Sequence, residues 1–292
     1  MRIGYVTPNS WGVDPPRQVV ELAVRAEERG VDSLWVSHHV LHRGFVADRL
    51  APQLPYHDPL VMLATFATAT SRARLGTSVL VVPYLHPLPT AKALATVDHL
   101  SAGRVDVGVG VGALQVEHDS IGQVPFDQRG RYADEFLAVL QCAWAPGPSS
   151  FEGRFFAFDD LEAYPGAFEP GGLPVYVGGH GGPAQRRAAR HGAGWHGIGL
   201  TPEQVGEEID GLRRAFDAEG RTFDGCPFQL RLHVPVDDLD VDGLQRRVDA
   251  YAAAGVTELA LAPQSGDVEL HRTWVDRVLP ALTHVDPGPG TA

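Results

Sequence analysis

Short apolar runs alternate with longer stretches of helical spacing from Ile3 to Leu282, and few architectures accept such a pattern. The runs fall at 3–7, 33–37, 74–82, 104–108, 174–177, 194–198, 228–234 and 258–262. Between them apolar residues recur three and four apart, as in Tyr132, Phe136, Val139 and Leu140, or Val205, Ile209, Leu212 and Phe216. Glycines and prolines punctuate the changeovers: Gly30 stops the first helical stretch, and Pro59 follows the candidate cap Asp58. Strands and helices in strict alternation require a parallel sheet covered by helices. Eight such units predict an α/β fold, a single (β/α)8 TIM barrel over 1–283. An insertion separates the fourth helix from the fifth strand at 146–172 and contains a predicted β-arm at 150–158. The Pro/Gly-rich tail, 284–292, is expected to be disordered.

Composition narrows the function classes. The formal charge is −12 and Lys92 is the single lysine, so no positive stripe is available for nucleic acid. Cys142 and Cys226 form no CxxC pair, which argues against a disulfide framework or a cysteine–zinc site. HExxH and GxSxG are absent, and the 13 histidines show no hydrolytic metal spacing. No run of about 18 apolar residues and no leader pattern occurs, so the expectation is a cytoplasmic protein acting on a small molecule, away from membranes.

In a barrel, chemistry gathers at the C-terminal ends of the strands. Two clusters there stand out. The segment DSLWVSHH, 32–39, ends a strand in His38 and His39, with His42 and His57 in the loop beyond. A histidine there can hold a flavin-like ring or move a proton near neutral pH, although a lone histidine is more often packing. The second cluster is a pair of glycine segments. GVGVG, 108–112, superficially matches the start of a dinucleotide fingerprint but lies in the fourth unit, so crowding at a strand end, or a flat ligand close by, explains it better. GGHGG comprises Gly178, Gly179, His180, Gly181 and Gly182, and joins the fifth strand to a helix opened by Pro183. Its backbone N–H groups and the helix N-terminus suit a phosphate, favoured by ~0.3–1 kcal/mol from the helix dipole alone.

The chain resembles the luciferase-like monooxygenase superfamily, in particular its short branch that uses the deazaflavin coenzyme F420. The resemblance rests on MRIGYVTPN, AEERGVDSLWVSHHV, the block from RARLGTSVLVVP to DVGVGVG, VPFDQRGRYADEFLAVL, FEGRFF and LPVYVGGHGGPAQRRAARHGAGWHG, in family order from Met1 to about Leu282. It implies a flat cofactor across the strand C-termini, held by His38, His39, Ser78, Val79, Gly110, Gly112 and the glycine loop 178–182. It also implies a non-proline cis peptide at Ser78–Val79. His39 falls where the family often has a histidine beside the reacting ring position, and His38 where many relatives have an acid. Homodimerisation through barrel helices is a further family expectation.

Departures from the family's sugar-phosphate dehydrogenase matter. Ala113 stands where that enzyme has an acid, its substrate-loop tryptophan is replaced near Arg43, and lysines for a substrate phosphate are lacking. The nearest acid after the glycine block is Glu117, a candidate proton relay or a loop ion-pair residue. Asn9, Arg43 and Tyr56 are candidates for the substrate loop. That loop and the arm are expected to cover the ring. The expected function is an oxidoreductase passing a hydride between F420 and a small organic substrate, with His39 as proton donor. The alternatives are an FMN-dependent monooxygenase served by a separate flavin reductase, or a non-catalytic deazaflavin-binding protein. An F420 reductase is an alternative partner.

Overall fold

The computed structural model describes residues 1–41, 55–237 and 239–282. Eight parallel staves close into a barrel. In chain order they are β1 (Arg2–Val6), β2 (Ser33–Val36), a broken third stave made of β3 (Arg74–Thr77) and β4 (Leu80–Val81), then β5 (Val105–Gly110), β8 (Val175–Val177), β9 (Gly194–Ile198), β10 (Phe228–Pro235) and β11 (Glu258–Gln264). β1 lies between β2 and β11, and Leu75 and Gly76 of β3 pair with Val105 and Asp106 of β5 to close the ring. The helices around it among the described residues are α1 (Arg17–Glu28), α2 (Pro59–Ala69), α3 (Pro87–Ser101), α4 (Gln115–Ile121), α5 (Arg129–Trp144), α6 (Gly182–His191), α7 (Pro202–Ala218), α8 (Val241–Ala253) and α9 (Val268–Arg277).

Local chemistry explains the boundaries. Asp58 caps α2 by accepting from the N–H groups of Leu60 and Val61, and Pro59 opens the helix as expected. Thr201 and Gln204 form a reciprocal capping box at α7. The amphipathic face of α1 buries Val19, Leu22, Ala23 and Ala26 against the sheet.

The structure corrects the sequence reading in three places. The run 74–82 is two strands, interrupted by the Ser78–Val79 peptide, which is cis. The loop after β5 contains a helix, α4, whose seven residues are too few to show a period. The predicted arm is an antiparallel pair, β6 (Ser149–Glu152) and β7 (Ala157–Leu161). It packs on α5: Glu135 accepts from the N–H groups of Arg154 and Phe155, and Phe155 and Phe156 meet Tyr132 edge-on. It therefore does not cover the mouth of the barrel. The tail 284–292 and Arg43 lie outside the described residues.

Two cores result. The large one lies between sheet and helices. The small one, inside the barrel, holds Val6, Trp35, Ala260 and Ala262. Trp35 lies across the barrel interior against Gly4 and Gly76, where a side chain would collide with its ring. Several other interior positions carry charged or polar side chains. At the floor, Arg74 grips Asp106 with two bonds of 2.7 and 2.6 Å, and Arg2 lies 2.6 Å from the buried Glu258. Glu258 also accepts from Ser33 and Trp35. Among the described residues no helix is long and apolar enough to cross a membrane.

Candidate active site

A cavity of about 590 Å³ opens at the C-terminal end of the barrel. Its wall includes Ser37, His38 and His39 from the end of β2, the Ser78–Val79 bulge, Gly178 and Gly179 after β8, and His196, Arg231 and His233 from β9 and β10. Tyr56 and Gly112 also line it, as does Ala113.

The bulge is seated by glycines. Val79 leans over β5 and β8, and a Cβ on Gly110 would stand 2.7 Å from its Cγ2. A Cβ on Gly178 would meet Val79, the Val109 carbonyl and the His196 carbonyl within 3.3 Å. Within GVGVG a Cβ on Gly108 would collide with the Thr77 carbonyl, so the segment is a close approach between neighbouring strands, with Gly110 under the Val79 side chain. The Ser78 hydroxyl bonds His196 Nε2 at 2.8 Å. Gln229 gives its amide N–H to Glu258 (3.4 Å), so its oxygen accepts from His196 Nδ1 (3.1 Å). His196 Nε2 is then the acceptor for Ser78. Burial holds His196 neutral down to about pH 4.

The paired histidines divide their work. His38 is buried, and its Nδ1 accepts the Val81 N–H at 3.1 Å, which places the proton of the neutral ring on Nε2. Burial lowers its pKa to about 4. His39 is 34% exposed, and its Nδ1 lies 3.3 Å from Glu117 Oε2. Glu117 Oε1 accepts from the N–H groups of Val40 (2.7 Å) and Leu41 (3.0 Å). Burial works to raise the Glu117 carboxyl, but the bonds from His39, Leu41 and Val40 prevail and hold it below its ordinary value. Glu117 is thus a carboxylate at neutral pH that orients His39. With Nδ1 engaged by Glu117, Nε2 is the ring nitrogen of His39 left without that partner.

Other candidates lie off the wall. Asn9 is fully buried. Its amide donates to the carbonyls of Ser37 (2.8 Å) and His57 (3.1 Å) and accepts from the Ser37 N–H, tying strand ends together. His180 is exposed on the loop leading to α6. Gly179 and Gly181 have φ of +135° and +72°, backbone conformations that favour glycine. Gly182 begins α6, with the Arg186 guanidinium beside it. Among the described residues no cluster of histidine, cysteine and acid could hold a metal ion.

Arg231 escaped the sequence reading. It is buried in β10, and its Nη1 donates to the Ser37 hydroxyl and the Ser78 carbonyl, both at 2.8 Å. Its Nε is buried and has no partner among the described residues. Burial lowers its pKa to about 10, so it remains a cation at neutral pH. The signal was available in the run FQLRLHV. Gln229, Arg231 and His233 alternate with Leu230 and Leu232, and alternate residues of a strand face one side.

The profile of the luciferase-like monooxygenase family matches residues 1–274. The chain belongs to this family. An F420-dependent glucose-6-phosphate dehydrogenase of Kineococcus radiotolerans is 33% identical over 216 residues, spanning 71% of this chain and 60% of the relative. Two solved luciferase-like folds superpose closely. One is an F420-dependent secondary alcohol dehydrogenase in complex with an F420–acetone adduct, with TM-score 0.80, 19% identity and coverage of 97% and 99% of the two chains. The other is the oxygenating constituent of 3,6-diketocamphane monooxygenase from Pseudomonas putida in complex with FMN, with TM-score 0.75, 16% identity and coverage of 99% and 98%. At these identities the two structures bear on the fold alone.

Proposed function

We propose that this luciferase-like protein is an F420-dependent oxidoreductase that passes a hydride between the deazaflavin and a small organic substrate. The observation that carries the reading is His39, held by an ionised Glu117 at the rim of a cavity floored by the Ser78–Val79 bulge. The match to an F420-dependent relative supports F420 as the cofactor. The residues present fit such a group. Val79 on its glycine seat offers a flat support, the loop 178–182 with the α6 N-terminus suits an anionic side chain, and Arg231 Nε is a buried donor in need of an acceptor.

When bound, F420 supplies the hydride chemistry. The chain does the rest. Val79 and Gly178 shape the support, and Gly179 to Gly182 hold the phosphate-bearing part. His38 offers Nε2–H as a fixed donor. His39 takes the proton of a substrate hydroxyl at Nε2 in one direction and returns it to a carbonyl oxygen in the other. Glu117 stabilises the imidazolium so formed, as a buried carboxylate beside a cation does. The wall is rich in apolar and neutral groups, and the aromatic rings of Trp11 and Tyr56 favour an uncharged substrate such as a secondary alcohol or ketone.

The monooxygenase constituent solved in complex with FMN on the same fold makes the monooxygenase the second reading. A fluorescence titration of F420 and FMN against the protein separates the two. Micromolar binding of F420 with none of FMN is the expected result. Binding of FMN alone would overturn the proposal in favour of a monooxygenase served by a flavin reductase. Tight F420 binding with no turnover across a panel of secondary alcohols and ketones, or any other hydride donor or acceptor, would indicate a carrier.

A further inference from the structure

The arginine in β10 has a consequence for the cofactor's redox state. The inference rests on the proposed deazaflavin reading. Arg231 is a buried cation whose acceptors among the described residues are two neutral oxygens, the Ser37 hydroxyl and the Ser78 carbonyl. Its titratable neighbours in the barrel are His196 and His233, both held neutral down to about pH 4 by burial, with the Arg231 charge pushing the same way. No carboxylate among the described residues forms an ion pair with it, in contrast to Arg74 and Arg2 at the floor. A buried cation without an anion is costly to maintain, and its Nε donor is left unused. Both facts point to a negative charge that arrives from outside the protein. The position narrows the choice. Arg231 bonds the carbonyl of Ser78, so its charge lies at the bulge that would support the ring, and His39 lines the same cavity.

We propose that Arg231 is the counter-charge for the reduced, anionic form of the deazaflavin ring. A hydride brings two electrons and one proton, so a ring that accepts one from an alcohol gains one negative charge, and the alcohol's hydroxyl proton goes to His39. The oxidised ring is neutral at that locus. A fixed cation beside it therefore favours the reduced state and tunes the cofactor's potential upward. His38 and Ser37 assist as neutral donors, but Arg231 carries the full charge.

The test compares the affinities of oxidised and reduced F420 for the wild-type protein, Arg231→Gln and Arg231→Lys, by anaerobic fluorescence and absorbance titration. Wild type is expected to prefer the reduced form. Arg231→Gln should lose at least tenfold of that preference, which is about 30 mV downward for a two-electron couple, and Arg231→Lys should retain most of it. Equal weakening of both forms in Arg231→Gln, with an unchanged ratio, would overturn the inference and leave the F420 reading intact. A carboxylate or sulfonate that binds the wild-type protein without cofactor, and loses affinity in Arg231→Gln, would reassign the cation to an anionic substrate. Should Arg231→Gln fail to fold, the wild-type protein suffices. The reduced cofactor, followed by absorbance from pH 8 to 5, should stay anionic to a lower pH when bound than when free. A midpoint equal to or above that of free cofactor would refute the proposal. If wild type binds neither F420 nor FMN in any state, the functional reading itself falls, and this inference with it.

Discussion

At the floor of the barrel Arg74 meets Asp106 through two bonds and Arg2 meets Glu258, whereas at the mouth Arg231 has one hydroxyl and one carbonyl. Arg2 and Arg74 are part-exposed and Arg231 is buried, yet all three come from strand positions that face inward. The floor returns each cation a carboxylate and is electrically closed. The mouth gives its cation no ion-pair partner among the described residues and adds histidines that burial keeps neutral, and on the proposed reading an entering anion completes the charge. The same residue type is ion-paired in one layer and has only neutral acceptors in the other. The difference lies in whether the neighbouring strands supply an acid.

Substitutions at the two ends should separate in kind. His39→Ala acts at the mouth, and loss of a positioned acid–base group should lower turnover about 10²–10⁴-fold while F420 affinity changes little. Steady-state rates with secondary alcohols beside a cofactor titration check this, and near-normal turnover would remove His39 from its role. Asp106→Ala acts at the floor. It strips a buried partner from Arg74 and should destabilise the fold by about 3 kcal/mol, which for a chain of this size is a fall in Tm of roughly 6–12 °C. Below that temperature cofactor binding should persist. A floor mutant that unfolds no earlier but fails to bind F420 would erase the distinction between the two ends.

The smallest effect per group is the pH dependence of stability. His38 and His196 titrate near pH 6.5 in an unfolded chain but stay neutral to about pH 4 in the fold. Between these values the unfolded chain takes up protons that the folded protein refuses. Their contribution is complete above pH 6.5 and is lost as pH falls toward 4. Urea unfolding at pH 7, 6 and 5 should show a loss on the order of 1–3 kcal/mol per histidine. His196→Gln should remove its share of the slope, and a flat profile in the wild type would mean that these rings are already charged.

The barrel was legible because its alternation is written in every unit, and His38 and His39 because they are conspicuous at a strand end. Glu117 was visible as the first acid after the glycines, but its bond to His39 spans 78 residues of chain and depends on α4, a helix too short to carry a period. The interior of β10 was hidden for a different reason. Gln229, Arg231 and His233 sit between leucines, and a run judged by its apolar average conceals an alternation judged by position. The arm 150–158 has the residues of a cover, yet its aromatic rings belong to Tyr132 and α5.

Trp35 gives the molecule an optical consequence. Its ring centroid is 4.7 Å from that of His196, which in turn holds Ser78 beneath the cavity, and its indole is sealed from solvent. An imidazolium quenches a neighbouring excited indole far more than a neutral imidazole does. Trp35 emission should therefore dim as His196 gains a proton near pH 4, and should respond when a ligand pressing on the bulge shifts Ser78. With the other four tryptophans replaced, Trp35 reports on the floor of the cavity without a label.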